Sequence, residues 1–336
     1  MKPPRALLVN PYIYDVSAYN VWSAPLGLLY VGSVLRENGF EIELVDCMVV
    51  DEKKRKADGR GPFVKEKAEP ARALRGLGKR FKRYGLGPRE LKGRLESLEE
   101  PDIVLVTCIM THWYVGAQEV VALVREVYPQ ARVALGGVYA SLCEEHARAH
   151  VGADLVVGSG GLGKFYAWVE RVTGRSPGIA PAVFSGLPYP CFDLYEKREF
   201  VPVLGSVGCV YRCSYCATPF LYPRIEERTA GEMIREIAHW HHEGAKRFVL
   251  YDDAFLVGRE GRAMPFLRGV TELPFATSFY NPNACMPPSS MRKPRCCCAP
   301  PGSRRCGSAS RVWMGVCSAR PAGRWTRRGS SEPWGS

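Results

Sequence analysis

Three cysteines with short, unequal spacing give the strongest chemical signal in this sequence of 336 residues. Cys209, Cys213 and Cys216 form a C-x3-C-x2-C pattern that begins directly after Gly208. Thiolates are soft ligands that suit zinc and iron–sulfur clusters. A structural zinc site normally closes with four ligands, and no fourth Cys or His follows at a usual spacing. The loop therefore favours a four-iron cluster with one open iron, and zinc stays the alternative.

The elements predicted around this loop are those of repeating strand–helix units. A strand is predicted over 200–206, just before the cysteines, and a helix over 229–243. Thr229 and Glu232 form a capping-box pattern at the start of that helix. The pattern then predicts a strand over 247–251, a helix over 258–270 and a strand over 275–278.

The chain resembles the radical S-adenosylmethionine (SAM) superfamily in three features. These are the cysteine spacing, the aromatic Tyr215 before the last cysteine, and the strand that precedes the loop. The resemblance implies that Cys209, Cys213 and Cys216 hold a [4Fe–4S] cluster. It also implies that the open iron binds the amino and carboxylate groups of SAM, with Tyr215 beside the cofactor. In that family one electron cleaves SAM to methionine and a 5′-deoxyadenosyl radical, which takes hydrogen from a substrate.

A pair of acids occupies the place of a second motif in the resemblance. Asp252 and Asp253 follow the predicted strand 247–251, where the family contacts the methionine amino group of SAM. A carboxylate that accepts from an ammonium group makes a strong, charge-assisted hydrogen bond. Both acids are therefore expected to bind SAM, while the alternative for either one is a helix cap or a loop acid.

The first 175 residues alternate strand and helix patterns. Strands are predicted over 6–10, 41–47, 103–108, 132–135 and 154–157, with helices between them. This alternation predicts a doubly wound parallel sheet. Ligands of such sheets lie beyond the carboxyl ends of the strands.

The same N-terminal half resembles the cobalamin-binding-like domain that precedes the radical domain in one large subgroup. Three phrases carry this resemblance, at 25–30, 135–140 and 152–158. The axial-histidine motif Asp-x-His-x-x-Gly is absent, and His112 has the wrong spacing for it. Some members of the subgroup bind cobalamin without a protein ligand to cobalt. The resemblance implies possible cobalamin contacts at Thr107, Gly136, Gly137, Gly158 and Gly160.

The formal net charge of +12 is concentrated in two segments. Residues 52–100 hold sixteen Lys or Arg against eight acids, and many Gly and Pro residues break any long helix there. We interpret this segment as an insertion, either solvated and packed on a neighbouring domain or able to bind RNA. Because the charge is not spread over the core, a nucleic-acid partner is not expected.

Residues 285–336 differ in composition from everything before them. They hold nine Arg, one Lys and one acid, with six of the thirteen cysteines and no Leu, Ile, Phe or Tyr. Such a segment has little to bury and is expected to be disordered. One hypothesis is a frameshift near codon 284, and the other is a genuine basic tail that binds RNA or a metal.

The sequence therefore predicts an α/β protein in four parts. These are a doubly wound domain over 1–175, a linker over 176–199, a partial radical SAM βα barrel over 200–283, and the tail 284–336. The predicted function is reductive cleavage of SAM for methyl transfer or another radical modification of an unknown substrate. The alternatives are a catalytically incomplete, truncated product and a zinc- or RNA-binding protein. No membrane segment or signal peptide is apparent, so we expect a cytoplasmic protein served by an electron donor such as flavodoxin or ferredoxin.

Overall fold

The computed structural model describes residues 2–70, 80–177, 184–257, 259–283, 317–319 and 325–327. The chain divides into two compact units, Met1–Glu196 and Lys197–Ser336. The tail cysteines 285, 296, 297, 298 and 306 lie outside the described residues. No helix among those described is long and apolar enough to cross a membrane.

A five-stranded parallel sheet forms the centre of the first unit, as predicted. Its strand order is β3-β1-β6-β7-β8, so the chain first adds a strand on one side of β1 and then builds outward on the other. Within this unit the strands are β1 Arg5–Asn10, β2 Ile13–Asp15, β3 Glu41–Asp46, β4 Lys65–Lys67, β5 Lys82–Tyr84, β6 Ile103–Thr107, β7 Arg132–Gly136 and β8 Leu155–Val156.

Helices cover both faces of this sheet, which makes it doubly wound. One face carries the larger core, in which Leu7, Val104 and Leu91 are buried with residues of three further helices. On the opposite face Gly32 of the first helix lies against Leu8. The helices of the unit are α1 Leu26–Glu37, α2 Pro88–Glu96, α3 Tyr114–Val127, α4 Val138–Leu142, α5 Glu144–His150 and α6 Leu162–Thr173.

The basic insertion builds a second, smaller sheet. Strands β4 and β5 pair antiparallel with each other, and β5 also pairs with β2, in the order β2-β5-β4. Trp22, which is buried, donates from its indole nitrogen to the carbonyl of Asp58 at 2.7 Å. The end of the insertion is helix α2, whose Leu91 and Leu95 are fully buried in the main core. Part of the insertion is therefore integral to the first unit.

The part of the predicted linker from Phe184 to Tyr195 packs on α1 and on the end of β3. Ser33 of α1 donates to the carbonyl of Tyr189 at 2.7 Å, and the Cys191 thiol donates to the carbonyl of Leu29 at 3.1 Å. Tyr195 donates to the half-buried carboxylate of Asp46 at 2.7 Å. The segment from Phe184 to Tyr195 is therefore a part of the first unit.

The second unit repeats strand–helix units around a parallel core of three strands. Strands β9 and β13 flank β12, and both pair with it in parallel. The predicted capping box is confirmed, since Thr229 accepts from the amide of Glu232 and the Glu232 side chain accepts from that of Thr229. The elements are β9 Val201–Val203, β10 Ser206–Val207, α7 Thr218–Leu221, β11 Glu226–Glu227, α8 Ala230–His242, β12 Arg247–Leu250, α9 Met264–Thr271, β13 Thr277–Tyr280, β14 Cys317–Ala319 and β15 Trp325–Arg327.

Two short strands come from the tail. β14 pairs antiparallel with β13, and β15 pairs antiparallel with β14. These six residues are the described part of 284–336. They extend the sheet of the second unit, although the hydrophobic pattern of the tail sequence does not alternate as in a strand. The frameshift hypothesis stays a prediction, which the DNA sequence around codon 284 would test.

Candidate functional site

The three cysteines lie on one loop that is closed at its base by a two-stranded stem. β10 pairs antiparallel with β11, with Ser206 opposite Glu227 and Val207 opposite Glu226. Gly208 starts the loop with a φ of +85°, and a Cβ there would meet the carbonyl oxygen of Arg224 at 2.9 Å. Glycine is therefore needed at this position, where the two sides of the loop approach each other.

Within the loop, Cys209, Cys213 and Cys216 are all free and partly exposed thiols. The amide of Cys216 donates to the carbonyl of Cys213 at 3.0 Å, which makes a tight turn between the last two cysteines. The Cys216 Sγ lies 3.3 Å from the Thr218 hydroxyl. Nowhere in the described part of the chain do three His, Cys, Asp or Glu side chains converge as a metal-ion site. The donor set fits a cluster, but the thiols need to draw together to hold one.

A surface pocket of about 220 Å³ adjoins the loop. Its walls include Cys209, Arg212, Pro219 and Tyr222. Desolvation and, less strongly, the negative charge of Asp253 raise the pKa of Tyr222. Tyr215 is 90% exposed, and a side-chain hydrogen bond to Cys213 raises its pKa.

The two acids of the predicted SAM motif occupy different environments. Asp252 is fully buried, and its carboxylate accepts from the Gly205 amide at 2.9 Å and from the Ser206 hydroxyl at 2.8 Å. Burial raises the pKa of Asp252 against the lowering effect of Gly205, Arg262 and Ser206. Asp253 is exposed, and its pKa is raised by desolvation and by the charge of Asp252.

At the sheet of the first unit, three of the predicted cobalamin residues lie at the ends of neighbouring strands. Thr107 ends β6 and Gly136 ends β7, and the two are paired in register. Gly137 has a φ of +98°, and a Cβ there would meet the carbonyl oxygen of Cys108 at 2.6 Å. The nearest atom to a Cβ on Gly136 is 4.0 Å away, so this part of the rim is open.

The other two predicted residues lie in the loop after β8. A Cβ on Gly158 would meet the carbonyl oxygen of Ala140 at 3.2 Å, which brings this loop against α4. Gly160 has a φ of +74° and open space beside it. Glycine backbone at an open rim permits close approach by a cofactor, so Gly136 and Gly160 fit the predicted role better than Gly137 and Gly158.

A small pocket lies where the strand order reverses, between the ends of β1 and β6. Its lining includes Asn10, Ser23, Thr107 and Cys108. This is the place at which open α/β sheets bind ligands. His112, at the same rim, has its Nε2 atom 3.2 Å from a carboxylate oxygen of Asp15. The structure therefore assigns His112 to an interaction with Asp15.

Two buried arginines near the cysteine loop were not singled out by the sequence. Arg228 contacts Glu236 at 2.5 Å, and Arg262 lies 3.3 Å from both Asp252 and Glu227. Arg228 precedes the capped helix α8 and Glu236 lies within it, eight residues on, so no helical spacing in the sequence indicates the pair. Arg262 carries no local signal, because its partners are distant in sequence.

Comparisons with known proteins find a family match within the first unit. Residues 87–163 match the B12 binding domain family. The chain is 21% identical, over 312 aligned residues, to cytidylyl-2-hydroxyethylphosphonate methyltransferase of Streptomyces wedmorensis, covering 74% of this chain and 54% of that protein. The predicted resemblance of the N-terminal half to a cobalamin-binding domain is confirmed over residues 87–163.

Solved structures support the fold. The chain is similar to the radical SAM methyltransferase TsrM from Kitasatospora setae, with a TM-score of 0.52 and 17% identity, over 80% of this chain and 51% of that one. One structure of TsrM holds cobalamin and a [4Fe-4S] cluster, and another holds tryptophan substrate and a SAM analog. The chain thus spans about half the length of the relatives that it matches.

Proposed function

We propose that this chain is a radical SAM protein of the methyltransferase type, which uses a [4Fe–4S] cluster, SAM and cobalamin on a substrate not yet identified. The observation that carries the proposal is the loop with Cys209, Cys213 and Cys216, which follows a parallel strand and is closed by the β10–β11 stem. The B12 binding domain match over 87–163 and the methyltransferase relatives support it.

In this proposal the chain's own residues bind and orient the cofactors. The thiolates of Cys209, Cys213 and Cys216 would hold three irons beside the pocket that Cys209 and Tyr222 line, and Asp253 is the exposed acid of the pair. The carboxylate of Asp253 accepts from the methionine ammonium group of SAM. When bound, the cluster supplies the electron that cleaves SAM reductively. Tyr215, which is exposed beside Cys213, covers the cofactor.

The open rim of the first sheet is the proposed cobalamin surface. Gly136 and Gly160 leave room for a cofactor, and Thr107 ends the neighbouring strand beside a small pocket. Because His112 is paired with Asp15, we propose binding without a histidine ligand from this position to cobalt.

The partners and compartment are part of the same proposal. A one-electron donor such as flavodoxin or ferredoxin is required to reduce the cluster. The seven cysteines from Cys47 to Cys216 are all free thiols, which suits a reducing compartment, and we propose the cytoplasm. Nucleic acid is not a proposed partner.

Anaerobic purification followed by reconstitution with iron and sulfide tests the proposal. We expect about four irons per chain and a broad visible absorption band that is lost in Cys213→Ala. The matched control is Cys143→Ala, which removes a partly exposed thiol from the first unit and should leave the iron content unchanged. Stoichiometric zinc without iron would overturn the proposal. Formation of 5′-deoxyadenosine or S-adenosylhomocysteine from SAM then tests turnover by the chain.

A further inference from the structure

The base of the cysteine loop is held by a buried network of charges. Asp252, at the end of β12, accepts hydrogen bonds from Gly205 and Ser206, which lead into the first strand of the stem. Arg262 lies 3.3 Å from Asp252 and also 3.3 Å from Glu227, which belongs to the second strand of the stem. One carboxylate and one guanidinium group therefore contact both strands that close the loop.

This network is shielded from solvent at its centre. The side chain of Asp252 is 0% exposed and that of Arg262 is 5% exposed. The Gly205 and Ser206 contacts are hydrogen bonds to a carboxylate, whereas the Arg262 contacts are ion pairs without hydrogen-bond geometry. Removing one partner of a buried ion pair leaves the other charge buried without compensation. A Cβ on Gly205 would meet the Asp252 carboxylate at 3.1 Å and the Met233 sulfur at 2.7 Å, so the backbone is packed closely against the network.

Both oxygens of Asp252 are already used by these contacts, whereas Asp253 is exposed. A buried carboxylate that is fully engaged with backbone and side-chain donors is not available to an incoming ammonium group. The adjacent acids thus differ in what they can contact, although the sequence presents them as an equivalent pair.

We propose that Asp252 and Arg262 are positioning residues, which hold both strands of the cysteine-loop stem, and that Asp253 alone of the acid pair is available to a ligand. The ligand part of this assignment rests on the proposed function, while the positioning part concerns the protein without any cofactor. The two parts can therefore fail separately.

The reactivity of the cysteines in the cofactor-free full chain tests the positioning part. Brief treatment with iodoacetamide, followed by trypsin and mass spectrometry, reports on Cys209 in the peptide 199–212 and on Cys213 and Cys216 in the peptide 213–224. Asp252→Asn is expected to raise the alkylation rate of these peptides at least threefold, because the stem opens. Asp253→Asn, at the neighbouring position, should leave the alkylation rate of these peptides equal to that in the parent protein within error.

General loss of stability is controlled by a conservative change in the core of the same unit. Ile237→Val trims a fully buried side chain of α8 that is outside the network. If it raises the alkylation rate as much as Asp252→Asn does, or if Asp252→Asn raises no rate, the positioning role is wrong. Should Asp252→Asn fail to fold, Ser206→Ala removes one hydrogen bond of the network and must still raise the rate.

The ligand part is tested by equilibrium binding of SAM to the reconstituted protein. Asp253→Asn is expected to weaken SAM binding at least tenfold with its iron content and alkylation rate unchanged. An unchanged affinity in Asp253→Asn overturns this part while leaving the alkylation result intact. Failure of the parent protein to bind iron would instead contradict the proposed function.

Discussion

Gly116 of α3 lies directly against the carbonyl group of Tyr12, so closely that a Cβ on Gly116 would be 1.9 Å from that oxygen. The contact brings the segment after β1 onto the helix. Tyr12 and Tyr14 each donate to the carboxylate of Glu119, one turn further along α3, at 2.8 Å. A glycine in a helix thus fixes the loop that begins the rim of the first sheet.

Gly116→Ala should therefore destabilise the first unit, although alanine is the better helix former. The backbone has to move by more than 1 Å, and overpacking of this kind costs about 1–3 kcal/mol. Gly93→Ala is the matched control, because Gly93 lies in α2 with nothing within 4 Å, and it should gain about 1 kcal/mol. Thermal unfolding of the two variants measures both effects. Equal melting temperatures of the two variants would contradict the predicted clash between a Cβ at position 116 and the Tyr12 carbonyl.

For the buried pair of Arg228 and Glu236, removing one partner should cost more stability than replacing both. Glu236 is 0% exposed and Arg228 is 7% exposed, so each depends on the other for compensation. Glu236→Ala should destabilise the second unit by about 3–5 kcal/mol, because it leaves a buried guanidinium group without a counter-charge. The double variant Arg228→Met with Glu236→Met should lose less than Glu236→Ala alone. Hydrogen exchange of α8 measures the difference in the free energy of unfolding between the two variants. A double variant that loses as much stability as Glu236→Ala, or more, would argue against a coupled pair.

Asp154 predicts how the stability of the first unit depends on acid. Burial acts to raise its pKa, but the amide of Val133 and the side chains of Arg125 and Arg132 lower it on balance. A lowered pKa in the folded state gives stability that is present above the unfolded value of about 3.9 and is lost as the pH falls through the folded value. Asp154→Asn should remove this dependence and cost about 1.5 kcal/mol or more at pH 7.

Unfolding midpoints measured at pH 7 and at pH 3 check this prediction. The parent protein should lose more stability between the two pH values than Asp154→Asn does. Glu145→Gln, at an exposed position on α5, is the control and should follow the parent. If the stability of Asp154→Asn falls between pH 7 and pH 3 as much as that of the parent, other carboxylates determine the loss of stability in acid.

Gly136 separates cofactor binding from stability at the rim. A Cβ on Gly136 would have its nearest neighbour, the carbonyl oxygen of Val157, at 4.0 Å. Gly136→Val should therefore fold with the same melting temperature as the parent protein. The added side chain occupies the proposed cobalamin surface, and we expect hydroxocobalamin to bind at least tenfold more weakly. Titration followed by the visible spectrum of cobalamin measures this. Unchanged affinity would place the cofactor elsewhere.

The strands and helices of the described chain were largely predictable, because their hydrophobic patterns are regular. All five strands of the main sheet appear within about two residues of their predicted bounds, and the Thr229 capping box forms as expected. Local patterns of this kind depend on residues a few positions apart.

What could not be predicted depends on contacts between distant residues. Asp252 and Asp253 are adjacent and chemically identical, and only the arrival of Gly205, Ser206 and Arg262 makes one of them buried. The pairing of β5 with β2 likewise joins the insertion to the rim across about seventy residues. No periodicity in the sequence reports such pairings.

The position of β1 in the sheet has a consequence for how the first unit is made. β1 pairs with β3 and with β6, where Ala6 meets Ile42 and Ile103, and both partners follow it in the chain. β1, the second strand of the sheet, therefore lacks one of its two partners until about one hundred residues have followed. Contacts of such long separation slow folding, and a strand that is exposed meanwhile invites association between nascent chains. The insertion supplies about half of these intervening residues, but it adds little to the entropy of bringing β1 and β6 together, since doubling the length of a loop costs only about 0.6 kcal/mol.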